Sequence, residues 1–569
     1  MSVNPPMKGR CVNHSLANCC RLPAGARAGS RCSTHTAGFA VSTTSAAASG
    51  AAFVTTSGVT NILSDAAASS YLINLEIEGN RSTSGYAVAV DLNNDGIADL
   101  ITIDASTYTQ KVFLGTGTGL TDVTNSGASN PLNGITVLDP ANRSNNTSDH
   151  VIVADFDGDG DDDIFDAYTG NYYINDNGSF AQATGSDDIF SDIRSGIYLS
   201  GTGSPATGSY VIAQDLNNDG VADLIALDSV NYTQKVFIGT GTGFTNVTNG
   251  GAGVNPLNAI DVMYSETRQF ATADSAVFAD FDGDEDLDYF DAYAGNYYVN
   301  NEGEFTLASG AEDIFSSIRS NIYTSDDHVA YLGTVNPSPD GFVIGADINS
   351  DGIDDLIAVD PTNATQRVFL GTGTGFTDVT NSGAGVNPLN GIDLLKPDVK
   401  SNNTADHAVM GDFDGDGDLD TYDAYDGQYY EQTIAPPKLS SSTPADNSTT
   451  FSGTSNIILN FNEDIASAGT GTISIYKVSD NSLIETITAN DSTKVTISGS
   501  QVTINPDATL ADATQYYIKI AKRAFFDADG MTYAGIKTTT ALDFTTQGVS
   551  NSAPTVTDSP SDITVTEDT

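Results

Sequence analysis

One nine-residue motif occurs six times in this chain and constrains its fold more than any other feature. Each copy has the form D-x-[DN]-x-D-G-x-x-D, with Glu in place of Gly in the fourth copy. Successive copies begin 64, 60, 65, 67 and 65 residues apart. A nearly constant period of this length predicts a repeat architecture in which each period folds into one supersecondary unit.

The six copies fall into two alternating types. The first, third and fifth copies have Asn at position 3, as in DLNNDGIADLITID from Asp91, whereas the other three have Asp there, as in DFDGDGDDDIFDAY from Asp155. The flanks repeat as well, because TQKVFLGTGTGLTDVTN at 109–125 returns with few changes at 233–249 and 365–381. We infer that a block of two units was duplicated.

Each unit contains short β-type runs separated by Gly, Asn and Asp, such as YAVAV (86–90), DLITI (99–103) and QKVFL (110–114). No helical periodicity of any length occurs across the repeats. A small antiparallel sheet repeated about every 60 residues is typical of a propeller blade. We therefore predict an all-β fold in which residues 59–435 form a six-bladed β-propeller, with a seventh, degenerate blade from residues 50–80 as the alternative.

The motif also supplies ligands for a hard cation. Oxygen atoms at positions 1, 3, 5 and 9, with the backbone carbonyl at position 7, can surround one Ca²⁺ ion. Without a cation, two carboxylates about 4 Å apart repel each other by roughly 4 kcal/mol at an effective dielectric constant near 20. We therefore predict about six Ca²⁺ ions, one in each loop. In chain order the predicted metal ligands are Asp91, Asn93, Asp95, Ile97, Asp99, Asp155, Asp157, Asp159, Asp161, Asp163, Asp215, Asn217, Asp219, Val221, Asp223, Asp280, Asp282, Asp284, Asp286, Asp288, Asp347, Asn349, Asp351, Ile353, Asp355, Asp412, Asp414, Asp416, Asp418 and Asp420.

The calcium prediction has one open alternative, which is six acidic turns that hold no ion. An EF-hand is excluded, because position 12 of the first type is Thr or Ala and the flanks have strand-like sequence. Loops with four Asp ligands should bind Ca²⁺ more tightly than loops with Asn. The fourth loop has Glu285 where the tight turn needs Gly, so we expect strain there.

These features resemble FG-GAP/VCBS repeats. The resemblance rests on the Asp loops, on the FLGTGTG and FIGTGTG turns and on the repeat length, and it covers roughly residues 60–435. A literal Phe-Gly…Gly-Ala-Pro signature is absent, and Phe-Leu-Gly-Thr-Gly stands in its place. Repeats of this family are found in the propellers of integrin α-subunits and in bacterial surface proteins. The resemblance implies a role in adhesion or recognition.

A second domain is expected after a Pro/Ser-rich linker at 435–450. Seven β-type runs follow, which is typical of an Ig-like sandwich; they lie at 456–462, 471–478, 483–489, 494–498, 501–505, 515–520 and 542–546. The segments STPADNS, ILNFNEDI and FFDADGMTYAG are similar to bacterial Ig-like domains of the SbsA type, so we assign 436–548 to such a domain. Asp527 and Asp529 are expected in a turn, with a cation site as the alternative. Residues 549–569 resemble the start of a truncated cadherin-like or VCBS module.

The start of the chain has a different composition. Residues 1–60 contain five basic residues and no acidic residue. No stretch of 7–15 apolar residues gives an ordinary signal peptide. We expect residues 1–58 to be a disordered or non-native leader. The alternative is a zinc cluster, although the spacing of its candidate ligands matches no standard zinc pattern; those ligands are Cys11, His14, Cys19, Cys20, Cys32 and His35.

Charge excludes several classes of partner. The formal net charge is −52, with 74 acidic and 22 Lys and Arg residues, and nucleic acid requires a basic surface. The same charge disfavours anionic lipid. No run of 18 apolar residues predicts a transmembrane segment. All four Cys precede residue 33, so calcium rather than disulfides is expected to stabilise the repeats. We expect a secreted protein on a bacterial surface.

Catalytic motifs are absent, and His150 and His407 occupy one repeat position, which favours a structural role. The Tyr pairs at 172/173, 297/298 and 429/430 are expected to pack between strands, with stacking on a sugar or protein as the alternative. We therefore predict a non-enzymatic, calcium-binding surface protein that binds a host or neighbouring-cell protein or glycan. The alternatives are a structural stalk or surface-layer component, and a polysaccharide-processing enzyme on a propeller scaffold.

Overall fold

The computed structural model describes residues 53–55, 85–104, 109–137, 151–167, 169–197, 209–228, 233–262, 276–292, 294–301, 303–322, 342–360, 365–383, 386–394, 408–423, 428–432, 436–537, 539 and 541–548. Nearly all regular structure in these residues is β. The first strand, β1, covers Phe53–Thr55. The helices are short: α1 (Arg194–Ile197), α2 (Arg319–Ile322) and 3-10 turns at Gly127–Ser129, Gly185–Asp187 and Ile314–Ser317.

The described residues up to 432 contain six four-stranded antiparallel sheets, numbered 1 to 6 along the chain. Sheet 1 comprises β2 (Gly85–Val90), β3 (Asp99–Asp104), β4 (Thr109–Gly115) and β5 (Leu120–Asp122). Sheet 2 comprises β6 (Val151–Ala154), β7 (Asp163–Asp166), β8 (Asn171–Asn175) and β9 (Phe180–Gln182). Sheet 3 comprises β10 (Ser209–Gln214), β11 (Asp223–Asp228), β12 (Thr233–Gly239) and β13 (Phe244–Asn246). Sheet 4 comprises β14 (Ala276–Ala279), β15 (Asp288–Asp291), β16 (Asn296–Asn301) and β17 (Glu304–Leu307). Sheet 5 comprises β18 (Phe342–Ala346), β19 (Asp355–Asp360), β20 (Thr365–Gly371) and β21 (Phe376–Asp378).

The last sheet combines strands from both ends of this region. Its strands are β22 (Ala408–Gly411), β23 (Asp420–Asp423), β24 (Gln428–Gln432) and β1, in the order β1-β24-β23-β22. Phe53 pairs with Gln432 and Thr55 with Tyr430, in antiparallel register. In sheet 1, β2, β3 and β4 confirm the strands predicted at 86–90, 99–103 and 110–114. The alternative of a seventh blade from residues 50–80 falls mostly outside the described residues.

Neighbouring sheets pack through buried apolar clusters. One cluster joins Ile101 of sheet 1 to Ile164 and Tyr173 of sheet 2, and equivalent clusters join sheets 2 and 3, 3 and 4, 4 and 5, and 5 and 6. A further cluster packs Leu100 of sheet 1 against Phe413, which lies beside sheet 6. Leu100 and Ile101 are adjacent in β3, so they point to opposite faces. Sheet 1 is consequently covered on both faces.

The C-terminal region forms two facing sheets. Its strands are β25 (Leu439–Thr443), β26 (Ser448–Phe451), β27 (Ile457–Phe461), β28 (Ser467–Ala468), β29 (Thr472–Lys477), β30 (Ser482–Thr488), β31 (Val495–Ser498), β32 (Gln501–Ile504), β33 (Gln515–Ile520), β34 (Phe525–Phe526) and β35 (Asp543–Thr546). The sheet orders are β25-β27-β32-β31 and β26-β35-β33-β29-β30, and β28 pairs with β34. Alternate residues such as Ile473 and Ile475, and Ile518 and Ile520, enter one shared core.

The prediction of a linker at 435–450 is wrong where that stretch forms two strands, β25 and the start of β26. β25 pairs with β27, and β26 pairs in parallel with β35. Both are edge strands, and of their residues only Phe451 is fully buried. An edge strand is held mainly by backbone hydrogen bonds, so it can form from a Ser/Thr-rich sequence. Such a sequence lacks the apolar residues by which strands are predicted. The seven β-type runs predicted for this domain all form strands.

Candidate metal centres

Each Asp motif forms the connection between the first and second strands of its sheet. We name these connections loops 1 to 6, at 91–99, 155–163, 215–223, 280–288, 347–355 and 412–420. The loop number is therefore also the sheet number. The position-9 Asp begins the second strand, as Asp99 begins β3 and Asp163 begins β7. This arrangement brings a polar loop into contact with the buried end of a strand.

The position-9 carboxylates are fully buried and anchor the loops. In loop 1, Asp99 Oδ2 accepts from the Leu92 N–H at 2.9 Å and Oδ1 accepts from the Gly115 N–H at 2.6 Å. Loops 3 and 5 repeat both bonds. In loop 2, Asp163 Oδ2 accepts from the Tyr172 hydroxyl at 2.6 Å. Position 9 thus ties each loop to a later strand of its own sheet.

The Tyr pairs pack between strands, as the sequence predicted. One Tyr of each pair also makes a hydrogen bond that the sequence analysis did not predict. Tyr172, Tyr297 and Tyr429 are 1% exposed, and each hydroxyl donates to the position-9 Asp of its own loop. Tyr173 and Tyr430 are also buried, which argues against their stacking on an external sugar, whereas Tyr298 is half-buried and stacks on Tyr289. The constant spacing could have predicted this hydrogen bond, because the Tyr follows the position-9 Asp by nine residues in each of the three copies.

Positions 1, 3 and 5 turn their side chains toward the loop backbone. Asp91 Oδ2 accepts from the Gly96 N–H at 2.7 Å, and Asn93 Oδ1 accepts from the Asp95 N–H at 3.0 Å. Asp95 Oδ1 accepts from the Ile97 N–H at 3.0 Å. Comparable bonds form in the other loops, for example from Gly160 and Gly352 to their position-1 carboxylates. Side-chain oxygens at these three positions therefore face backbone amides of their own loop.

Two positions of every loop adopt left-handed backbone conformations. At position 6, φ is +82° for Gly96 and +76° for Glu285. The prediction of strain at Glu285 is confirmed, because a side chain at such a φ costs roughly 1–2 kcal/mol. Position 4 is left-handed too, with Gly158 at φ +80° and Asn94 at +56°. The sequence reading missed position 4, although Gly, Asn and Ser there are the signal for it.

Three carboxylates converge in each of the even-numbered loops. One ligand oxygen from every member of each trio lies within 4.8 Å of the others. The trios are Asp155, Asp157 and Asp163 in loop 2, Asp280, Asp282 and Asp284 in loop 4, and Asp412, Asp414 and Asp420 in loop 6. In the described residues, the acidic side chains of loops 1, 3 and 5 form no such trio, in keeping with their Asn at position 3.

Burial and mutual repulsion make these carboxylates reluctant to ionise. Burial raises the pKa of Asp163 and Asp420 to about 7 and that of Asp288 to about 8. Burial, followed by the charge of the position-5 carboxylate, raises the pKa of Asp282 and Asp414 to about 7. A bound cation would offset both costs, because it replaces repulsion by attraction.

Orphaned oxygen atoms supply an independent test of fit to a cation. Asp282 Oδ1, at position 3 of loop 4, is a buried side-chain oxygen without a hydrogen-bond partner. Both carboxylate oxygens of Asp418 in loop 6 also lack one, but Asp418 is at position 7, whose side chain faces the preceding loop in loops 2 and 4. Buried polar atoms are rarely left unpaired without an ion, a water or a strained site. Burial, with Asp416 and Asp420 nearby, raises the pKa of Asp418 to about 10. Hard oxygen donors in this number suit Ca²⁺.

Hydrogen bonds link five of the six pairs of neighbouring loops. Asn94 Nδ2 of loop 1 donates to Asp161 Oδ1 of loop 2 at 2.5 Å, and Asn218 of loop 3 makes the equivalent bond to Asp286 of loop 4 at 2.6 Å. The Ala222 N–H of loop 3 donates to the carbonyl of position 1 in loop 2, and loops 5 and 1 bond to loops 4 and 6 in the same way. Position 7 was predicted to act through its backbone carbonyl, and the side chains of Asp161 and Asp286 bond to the preceding loop instead.

The other sequence candidates can be placed as well. Asp527 Oδ1 accepts from the Asp529 and Met531 N–H groups, each at 2.9 Å, so this pair forms the turn that was expected. All five His, the four Cys and residues 549–569 lie outside the described residues. None of the short helices in the described part of the chain has the length or apolar character of a membrane span.

Comparison with known families bears on the C-terminal region. Residues 433–546 match the family described as bacterial Ig-like domain. This segment is similar to bacterial Ig-like domains. The match confirms the Ig-like part of the sequence assignment, and domains of this family occur in surface proteins. The match does not extend to the six repeats. No curated protein matches the chain.

Proposed function

We propose that the six sheets form a six-bladed β-propeller of the FG-GAP/VCBS kind. The support is that each sheet packs on the next and that sheet 6 also packs on sheet 1. Pairing of β1 with β24 joins the two ends of the repeat region in one sheet, and closure of this type removes exposed sheet edges between first and last units.

Calcium is the cation that we assign to the loops. The observation that carries this assignment is the convergence of three carboxylates within 4.8 Å in loops 2, 4 and 6. When bound, Ca²⁺ supplies positive charge and coordination to these oxygens and no reaction chemistry. The same side chains accept hydrogen bonds from backbone N–H groups of their own loop. These bonds would keep the ligand oxygens in place for the ion.

The resulting molecule suits recognition on a bacterial surface. Rigid sheets would hold the connecting loops in fixed positions, and such loops are the usual place for binding residues. An extracellular medium provides the millimolar calcium that acidic loops of modest affinity require. A surface location is supported by the Ig-like domain, whose relatives occur in surface proteins. We therefore assign the protein to calcium-dependent recognition of a protein or glycan on another cell.

The test is binding of the full chain to a glycan array and to immobilised host-cell proteins, in millimolar Ca²⁺ and in EGTA. A triple variant, Asp157→Asn, Asp282→Asn and Asp414→Asn, removes one converging charge from each even-numbered loop. The matched control replaces the exposed Asp176, Asp187 and Asp192 by Asn. We expect binding that is lost in EGTA, reduced at least tenfold in the triple variant and retained in the control.

Binding that is equal in EGTA and in calcium would contradict the calcium dependence of recognition. Absence of binding to every probe, combined with ordered self-assembly of the chain, would instead favour a structural surface layer.

A further inference from the structure

Loop 5 is covered by the Ig-like domain, whereas its two sister loops are open. Residues 350–352, at positions 4 to 6 of loop 5, are all buried, and Asp347 is 8% exposed. The equivalent positions 4 to 6 of loops 1 and 3 are exposed. Since the three loops have nearly the same sequence, the difference comes from what lies on top of loop 5.

Two direct contacts hold the Ig-like domain on this loop. Lys522 Nζ lies 3.1 Å from Asp347 Oδ2, and the Thr532 N–H donates to the Ser350 carbonyl at 2.8 Å. The side chain of Arg523 lies against Gly352, where a Cβ would clash with it. Lys522 is only 25% exposed, so its ammonium group is largely shielded from solvent.

The amino-acid sequence of loop 5 departs from its sister loops at this contact. Position 4 is Ser350 where loops 1 and 3 have Asn, and position 8 is Asp354 where they have Ala. The smaller Ser leaves its carbonyl to Thr532, and Gln432 Nε2 donates to the Ser350 hydroxyl at 2.9 Å. The added Asp354 carboxylate attracts Lys522. The Ser350 hydroxyl thus bonds to sheet 6 while its carbonyl serves the Ig-like domain, and the Asp354 carboxylate also accepts from the Asp280 N–H of loop 4 at 2.7 Å.

Charge on the Ig-like domain complements these loops. Seven basic residues occur in 436–548 against 11 acidic ones. Four of the seven lie in contact with, or within electrostatic range of, loops 4 to 6: Lys438, Lys522, Arg523 and Lys537. Glu285, the residue that breaks the repeat in loop 4, is within range of Lys537. The domain thus presents most of its positive charge to one set of acidic loops.

We propose that loop 5 is the docking socket of the Ig-like domain, in which the Lys522 ammonium group takes the place that a divalent cation takes in the other loops. The two domains are then held together by the same kind of acidic loop that elsewhere binds an ion. The number of calcium ions expected in the test below rests on the proposed function, which assigns calcium to the Asp loops.

The experiment compares the full chain with Lys522→Met, which keeps most of the aliphatic stem and removes the charge. The matched control is Lys519→Met, because Lys519 is an exposed lysine in strand β33 of the same domain. Bound calcium is counted by equilibrium dialysis in millimolar Ca²⁺. Hydrogen exchange of the Thr532 amide, whose acceptor belongs to loop 5, reports docking.

We expect Lys522→Met to bind one more Ca²⁺ ion per chain than the parent and to exchange the Thr532 amide at least tenfold faster. The combined Lys522→Met and Asp347→Asn variant should lose the additional ion, and Lys519→Met should match the parent in both measurements. An unchanged ion count would overturn the replacement of the cation by Lys522, and unchanged exchange would overturn the docking role. If the parent binds no calcium at all, the proposed function fails, and the Thr532 exchange alone decides the docking.

Discussion

The six repeated sheets and the Ig-like domain are both all-β, yet they are stabilised in different ways. The Ig-like domain has one apolar core to which most of its strands contribute, and Asp527 is its one buried carboxylate among the described residues. The repeats divide their apolar residues among six separate clusters. They also bury a position-9 Asp in every loop.

This difference shows where stability depends on solution conditions. A single apolar core is stable by burial alone. Small sheets that share small apolar clusters need further stabilising interactions. In the repeats these interactions come from loops rich in buried carboxylates. Their charges oppose folding until a cation or a lysine neutralises them. The repeats should therefore respond to calcium, and the Ig-like domain should not.

The largest expected effect is calcium removal. Each independent site adds about 2.7 kcal/mol at a ligand concentration 100 times its Kd, so several sites together should shift the unfolding of the repeats by well over 5 kcal/mol. Differential scanning calorimetry in EGTA and in millimolar Ca²⁺ should show one transition that moves strongly and one, from the Ig-like domain, that stays. Two transitions that move equally would remove the contrast between the regions.

The next effect concerns the anchoring carboxylate of loop 2. Asp163→Ala leaves the Tyr172 hydroxyl and the Asn175 N–H without their acceptor, and each unsatisfied buried group costs about 1–3 kcal/mol. We expect the repeats to lose about 4 kcal/mol in urea unfolding. Asp176→Ala, an exposed position in the same sheet, should change stability by less than about 0.5 kcal/mol. Equal losses in both variants would show that Asp163 is not an anchor.

A core truncation should act on the other region alone. Ile475 is fully buried in the Ig-like core, and Ile→Ala at such a site costs about 2–5 kcal/mol. The calcium-insensitive transition should fall while the calcium-sensitive one keeps its midpoint. A fall in both transitions would mean that the two regions unfold as one unit.

The smallest effect refines the account of loop 4. Glu285→Gly relieves a side chain held at φ +76°, so we expect the repeats to gain about 1 kcal/mol. Glu285→Gln removes the charge but keeps the strained conformation, and it should bring no comparable gain. Equal gains in the two variants would assign the effect to charge rather than to backbone conformation.

The sequence predicted the periodic parts of this molecule well. The strands beside the Asp loops and the seven apolar strands of the Ig-like domain follow from alternation and turn residues, which are local signals. The edge strands β25 and β26 were missed, because pairing by backbone leaves little trace in side chains. Convergence at positions 1, 3 and 9 was expected from the motif, and it appears in loops 2 and 6.

Contacts between loops could not be read from the motif. The bond from Asn94 to Asp161 joins residues 67 apart in the chain, and the cover on loop 5 comes from Lys522 in a different domain. Departures from the repeat were the available signal. Ser350, Asp354 and Glu285 each break the pattern where the Ig-like domain or its charge is near.

Counting bound calcium on the full chain tests the central claim most directly. Equilibrium dialysis against buffered Ca²⁺, followed by elemental analysis, gives the number of ions for each chain. The account predicts one ion in every Asp loop except loop 5, which is about five per chain, together with the strong shift of a single unfolding transition. A chain that retains no calcium and unfolds identically in EGTA would contradict it, because the converging carboxylates would then be acidic turns without a metal.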